Sequence, residues 1–309
     1  MDPLALAYFT FRYGTEFTDR KASSFQNFFN TVMEMGYPGD FIRIKAWGKK
    51  GDEKNDGLLK SKKMLFQVYA PERLNERKTV TKVTDDFWGA LGKWKGQFSN
   101  WVFVHNSREG ISSGIQKCLS NLENNPDNVK TTSWGFEEIR IEVFRLSHEQ
   151  LCILFGNPPS TGSFQNIGYD KLKIVLENIA RKPPLPDAEI RPVPKEKIQI
   201  NGLSQDVETL LKAGMKKSKL VQDFFKSYHD PSYGEDIAQA FHEHYNELKK
   251  LNHPPDDIFS ELLDFAGGTG GDVGNLCAAL AVLAYLFEEC DIFEEMRVVK
   301  NDTSNKKEN

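Results

Sequence analysis

The sequence predicts a mixed α/β sheet flanked by helices, followed by an all-α domain. Three observations carry this. Short alternating apolar runs are interleaved with helix-period segments through the first half. A proline-rich stretch, "RKPPLPDAEIRPVPKEK" (Arg181 to Lys197), interrupts the pattern. Beyond it the periodicity is helical almost throughout. The expected organisation is an α/β domain over residues 1–180, a linker over 181–197, a helical domain over 198–296 and a disordered tail over 297–309.

In chain order, Phe25, Phe28, Phe29, Val32 and Met33 make one apolar helix face, which "GYPG" (Gly36 to Gly39) terminates. "FIRIKAW" (Phe41 to Trp47) and "MLFQVYA" (Met64 to Ala70) alternate and read as paired strands joined by a polar turn. A helix carrying Phe87, Trp88, Leu91 and Trp94 follows, then the strand "WVFVH" (Trp101 to His105). A helix over Ile111 to Leu122 leads to "EIRIEVFRL" (Glu138 to Leu146), whose alternation predicts a last strand.

In the second half, Ser232 and Glu235 have capping-box spacing ahead of the stripe Ile237, Phe241, Tyr245 and Leu248. Pro255 marks the next helix start, and Gly267 and Gly268 its end. "LCAALAVLAYLF" (Leu276 to Phe287) is apolar nearly all round, so it belongs at the centre of a bundle or against a partner.

Composition narrows the functional classes. With 39% hydrophobic and 27% charged residues the 309-residue chain reads as globular and soluble. The longest apolar run is too short for a membrane span, which requires about 20 residues. The N-terminal stretch "MDPLALAYFTFRYG" lacks the basic start of a secretory signal, so a cytoplasmic location is expected. Cys118, Cys152, Cys277 and Cys290 form no CxxC pair, which favours reduced, buried thiols. A net charge of -4 gives no global attraction to phosphate, so nucleic-acid contact would need a local basic surface.

The stretch "GDEKNDGLLKSKKMLFQVYAPERL" (Gly51 to Leu74) is the most informative. Residues two apart on a strand share a face, so Gln67 and Tyr69 point the same way, and Asp56 precedes them in a polar turn. An acid, an amide oxygen and a nearby lysine are the parts of a metal-assisted phosphodiester hydrolase. As a bare turn, "NDG" has an equally simple backbone explanation. Lys45, Lys49, Lys50, Lys54, Lys60, Lys62 and Lys63 crowd this region; they suit phosphate binding or a solvated hairpin edge.

The order of elements and "NDG…FQVYAP" resemble the restriction-endonuclease-like superfamily, whose motif is an Asp followed by Glu/Gln-x-Lys. That resemblance implies Asp56 and Gln67 as ligands of Mg2+ or Mn2+. Tyr69 stands where the motif has lysine, so the positive charge has to come from elsewhere, with Lys63 and Lys45 as candidates. "INGLSQDVETLLKAGMKKSKLVQDFF" and "AALAVLAYLFEECDIFEE" resemble the C-terminal domain of effector proteins of bacterial ABC-three-component systems, which include Lamassu-like anti-phage defences. This second resemblance implies an SMC- or Rad50-like ABC ATPase and a small middle component as partners. It also implies DNA as target and is compatible with a homo-oligomer. By their basic clustering Lys49, Lys50, Lys54, Lys60 and Lys62 are the candidate DNA contacts, and the short apolar run gives no membrane partner. The implied activity is a metal-dependent endodeoxyribonuclease held in check by the ATPase. An inactive nuclease fold serving as a nucleic-acid-binding adapter is the alternative.

Three other motifs carry less. "GISSG" (Gly110 to Gly114) formally fits a nucleophile elbow at Ser112, but it does not directly follow a strand and no partner acid or histidine stands out. His242 and His244, two apart on a helix, diverge. "GGTGGD" (Gly267 to Asp272) lacks the Lys and Ser/Thr of a phosphate loop.

Overall fold

A computed structural model describes residues 1–44, 55–180, 197–269, 271–289 and 292–293, without side-chain placement for 178–180. The chain divides into two compact units, Arg12–Gly156 and Met1–Phe11 with Asn157–Asn309. The boundary falls ahead of the proline-rich stretch, whose residues 181–196 lie outside the described residues, as does the tail from 294 onward.

Helix α1 (Pro3–Asp19) passes from one unit into the other. The sheet unit then runs α2 (Ala22–Gly36), β1 (Phe41–Arg43), β2 (Gly57–Leu59), β3 (Met64–Tyr69), α3 (Glu76–Lys93), β4 (Asn100–His105), α4 (Ser113–Leu122), β5 (Lys130–Trp134), α5 (Phe136–Val143) and α6 (His148–Phe155). The strands form one five-stranded sheet in sequence order. β1, β2 and β3 are antiparallel neighbours, while β3, β4 and β5 are parallel through the crossover helices α3 and α4.

Alternation along β3 separates the two cores. Phe66 points to the α2 side, with ring centroids 5.4 Å from Phe29, 6.0 Å from Phe41 and 5.1 Å from Trp134. Leu65 joins Trp101 and Phe103 of β4 on the other side, against Phe87 and Leu91 of α3 and Ile115 and Leu119 of α4. Buried apolar surface contributes roughly 25 cal/mol per Å2, so the large rings of Phe66, Trp101, Phe103 and Phe87 make the sheet register costly to shift.

Three details differ from the sequence expectation. Glu138–Leu146 is not a strand; its first part is the end of α5. Ile139 and Val143, four apart, are buried, whereas Ile141 between them is half exposed, which is a helical stripe and not strand alternation. Glu138 also accepts a hydrogen bond from the Gly135 backbone N–H at 2.9 Å, which caps the helix start. The last strand is instead the polar β5. Lastly, the two alternating runs are not direct neighbours, because β2 lies between them. Of the first run only Phe41–Arg43 is strand, and residues 45–47 lie outside the described residues.

The helical unit comprises α7 (Thr161–Gln165), α8 (Tyr169–Ala180), α9 (Lys197–Ile200), α10 (Gln205–Met215), α11 (Ser218–Ser227), α12 (Tyr233–Lys250), α13 (Pro255–Phe265) and α14 (Val273–Glu288). Helix α14 is buried on all sides from Leu276 to Ala284 and contacts α7, α8, α10, α11 and α13. It is the centre of this bundle. Gly214 of α10 lets the two backbones approach, since a Cβ there would collide with the Leu280 carbonyl. The expected stripe Ile237, Phe241, Tyr245 and Leu248 is buried along α12. Its expected capping box is absent: Ser232 makes no cap bond, and its hydroxyl donates to Asp230 Oδ1 at 2.9 Å. Helix α13 ends as expected. Gly267 is left-handed at φ 73°, and the Gly268 N–H reaches back to the Leu263 carbonyl at 2.9 Å.

Candidate cation site at one end of the sheet

Because β2 runs against β3 while β4 runs with it, the start of β2 and the ends of β3 and β4 lie at one end of the sheet. The pairing Gly57↔Phe66 therefore places Asp56 and Gln67 beside the last rung of the β2–β3 ladder. In the next ladder Tyr69 is the partner of His105. Topology thus brings the backbones of Asp56, Gln67 and Tyr69 to one end of the sheet.

Asp56 is not in the hairpin turn. It enters β2, with its N–H bonded to the Phe66 carbonyl at 2.8 Å and its carbonyl accepting from the Ile44 N–H at 3.0 Å. Its side chain is 3% exposed. Oδ2 accepts the Val68 backbone N–H at 2.6 Å, and Oδ1 accepts the side-chain amide of Gln26 on α2. The carboxylate is thereby fixed in orientation by one strand and one helix. Gly57, which looked like a turn residue, has a different cause: its φ is not left-handed, and a Cβ there would overlap the Phe41 ring.

Gln67 is 5% exposed, and its Oε1 has no hydrogen-bond partner among the described residues. Asn55 is fully buried, and neither of its side-chain amide atoms is hydrogen-bonded there. Leaving such a group unpaired costs about 1–3 kcal/mol, so the orphan Gln67 oxygen asks for a ligand. Gln67 alternates with Phe66 and so faces away from α2, whereas the Asp56 carboxylate on the neighbouring strand is bonded to Gln26 of α2.

Tyr69 is partly buried, its ring 6.4 Å from that of Phe103. Above it stands the ammonium of Lys82 from α3, 5.5 Å from the ring centroid and 2.7 Å from Asp86 Oδ2. Asp86 itself is 2% exposed. His105 does not supply the missing charge. Burial pushes its imidazole down to about 4, against the opposing pull of the Glu138 charge, so it is neutral at pH 7.

Lys63 does not approach this end. It occupies the β2–β3 turn with φ 49°, immediately before β3, which puts it about 13 Å along the strand from Gln67. Lys60 and Lys62 share that turn, and Lys62 sits over the Tyr37 ring at 5.1 Å. Lys45, Lys49, Lys50 and Lys54 lie outside the described residues.

The oxygens at hand suit a hard divalent cation in kind, since both a carboxylate and the unpaired Gln67 carbonyl are hard donors. Among the described residues no group of three or more His, Cys, Asp and Glu could hold an ion. An ion held by Asp56 and Gln67 would therefore leave most of its coordination to water and to substrate phosphate, which is the manner of Mg2+.

Sequence reasoning missed Gln26, Lys82 and Asp86. The signal available was a polar residue in or beside an apolar stripe: Asp86 falls between Val83 and Phe87, and Gln26 between Phe25 and Phe28. Ser112 is the N-cap of α4, its hydroxyl accepting from the Ile115 N–H at 3.4 Å, which accounts for it without chemistry. The His244 ring stacks on Phe265 at 4.6 Å. Asp272, at the end of the glycine-rich connector, caps α14 through the Asn275 N–H at 3.0 Å. Cys118, Cys152 and Cys277 are free thiols; only Cys277 is buried, and Cys290 lies outside the described residues.

Among known protein families, residues 170–294 match C-terminal domain 10 of the ABC-three component systems. The match supports membership of the chain in such a system, and so partner components in a complex. Neither curated proteins nor solved structures yield a match to this chain. Among the described residues no helix is long and apolar enough to cross a membrane.

Proposed function

We propose that this chain is the effector of an ABC-three-component anti-phage system, with a metal-dependent, sequence-independent DNA nuclease in its sheet unit and an assembly module in its helical unit. The observations that carry the nuclease reading are the Asp56 carboxylate fixed at one end of the β2–β3 ladder and the unpaired Oε1 of Gln67 on the adjacent strand at that same end. The order α2–β1–β2–β3–α3–β4 supports it, because it is the order the nuclease-like resemblance requires. The match at residues 170–294 supports the assembly role, with an SMC- or Rad50-like ATPase and a small middle component as the partners. Regulation by that ATPase, as in Lamassu-like systems, belongs to the same reading.

In this reading Gln26 and the Val68 N–H hold the Asp56 carboxylate in one orientation, and the unpaired amide oxygen of Gln67, from the adjacent strand, is the second ligand. A bound Mg2+ or Mn2+ lowers the pKa of its water and offsets phosphate charge. Tyr69 adds a hydroxyl where the motif has an ammonium group.

A second reading has its own support. Tyr69 stands against Phe103 and beneath Lys82 in place of a free lysine, which suits a nuclease fold retained as a nucleic-acid-binding adapter. Incubating the full chain, alone and with its ATPase and middle component, with DNA and Mn2+ separates the two. Cutting that Asp56→Ala abolishes is expected; binding without cutting in every assembly state would establish the adapter.

A further inference from the structure

The basic surface that the sequence points to, the β2–β3 turn with Lys60 and Lys62, lies at the far end of the ladder from Asp56 and Gln67. A different surface adjoins the site. Along the first turns of α3 an open surface groove of about 540 Å3 is lined by Arg77, Lys78, Thr81, Lys82, Asp85 and Asp86. Helical spacing explains the lining, because 77 and 78, 81 and 82, and 85 and 86 recur at i, i+4 and i+8 on one face. Arg77 and Lys78 are exposed and belong to no ion pair among the described residues. Lys82 is the innermost cation, placed by its contact with the Tyr69 ring and by Asp86.

We propose that this α3 cleft, and not the hairpin turn, receives the nucleic-acid backbone, with Lys82 over Tyr69 contacting the phosphate nearest the Asp56–Gln67 pair. The chemistry suits a phosphodiester. A guanidinium fork and two ammonium groups donate, and the cations sit about one helical turn apart; the Thr81 hydroxyl is already engaged, donating to the Arg77 carbonyl at 3.1 Å. Asp86 is already paired with Lys82, and Asp85 lies on the last of the three turns, so the unpaired positive charge is concentrated at Arg77 and Lys78. Lys82 also brings a cation to the residue that stands where a lysine is missing. The proposal rests on the reading of the sheet unit as nucleic-acid-directed, and it names the face by which the polymer enters.

The test is fluorescence anisotropy of a labelled DNA duplex with the full chain over a range of salt concentrations. Replacing both exposed cations, Arg77→Ala with Lys78→Ala, should weaken binding about tenfold or more at low salt and reduce the salt slope by about 2. Lys82→Ala should weaken it further. Lys60→Ala with Lys62→Ala should leave binding within about twofold. If the wild type binds and the Arg77/Lys78 pair makes no difference, or if the Lys60/Lys62 pair carries the loss, the cleft is refuted while the nucleic-acid reading stands. If the wild type binds no DNA at any salt, both are refuted.

Discussion

Gly214→Ala tests whether α10 and α14 touch at backbone distance. In an exposed helix interior the substitution stabilises by about 1 kcal/mol, because alanine loses less backbone entropy on folding. At Gly214 the new Cβ would overlap the Leu280 carbonyl oxygen, lie 2.8 Å from its carbon and 3.0 Å from the Ala284 Cβ. The obstacle is helix backbone, which cannot rotate aside as a side chain can. Overpacking of this kind costs about 1–3 kcal/mol, and backbone contact argues for the upper figure. Set against the propensity gain, the net is a destabilisation of about 2 kcal/mol. That corresponds to a fall in Tm of roughly 4–8 °C for a unit of this size. The control is Gly92→Ala in α3, where nothing lies within 4 Å of the added methyl. Thermal and urea unfolding followed by circular dichroism should move the two variants in opposite directions. Should Gly214→Ala stabilise as much as Gly92→Ala, the close crossing of α10 and α14 is refuted.

Two further outcomes follow from buried charge. His105 is held neutral by burial, down to about 4 from an ordinary 6.5, so the unfolded chain binds the extra proton between those values. The sheet unit should keep this stability above pH 6.5 and lose about 3 kcal/mol as pH falls to 4; His105→Gln should flatten that limb of the urea midpoint against pH, and an unchanged slope would refute the assignment. Lys197 is 1% exposed, and its ammonium donates to the Phe287 carbonyl at 2.9 Å and the Ile292 carbonyl at 2.6 Å, closing the end of α14. Lys197→Met keeps the bulk but leaves both carbonyls without this donor, so the urea midpoint should fall by the equivalent of about 2–4 kcal/mol.

Legibility followed the strength of local pattern. Phe25, Phe28, Phe29, Val32 and Met33 announce α2, and "WVFVH" announces β4, because burial on one or both faces leaves an unambiguous period. Ile139, Ile141 and Val143 fit a strand and a helix equally well over five residues, and only the exposure of Ile141 decides. β2 is three residues long and β5 is "KTTSW", so neither has an apolar alternation to read. The same division holds at the site. Strand periodicity puts Gln67 and Tyr69 on one face and only the motif resemblance singles out Asp56, whereas the contacts of Asp56 with Gln26 and of Tyr69 with Lys82 join residues 30 and 13 positions apart in sequence. Such pairs exist only once helices have packed on the sheet. Fold ancestry, in turn, does not fix chemistry, which is why Tyr69 leaves two functional readings with distinct experiments.

The central claim is that Asp56 and Gln67 share a divalent cation. Its most direct test is a titration of the full chain with Mn2+, reading the paramagnetic resonance signal of the free ion. Saturable binding is predicted for the wild type. Asp56→Ala and Gln67→Ala should each abolish or strongly weaken it, and Gln26→Leu, which only releases the carboxylate, should weaken it about tenfold. Isotherms that are the same for the wild type and all three variants would contradict the account.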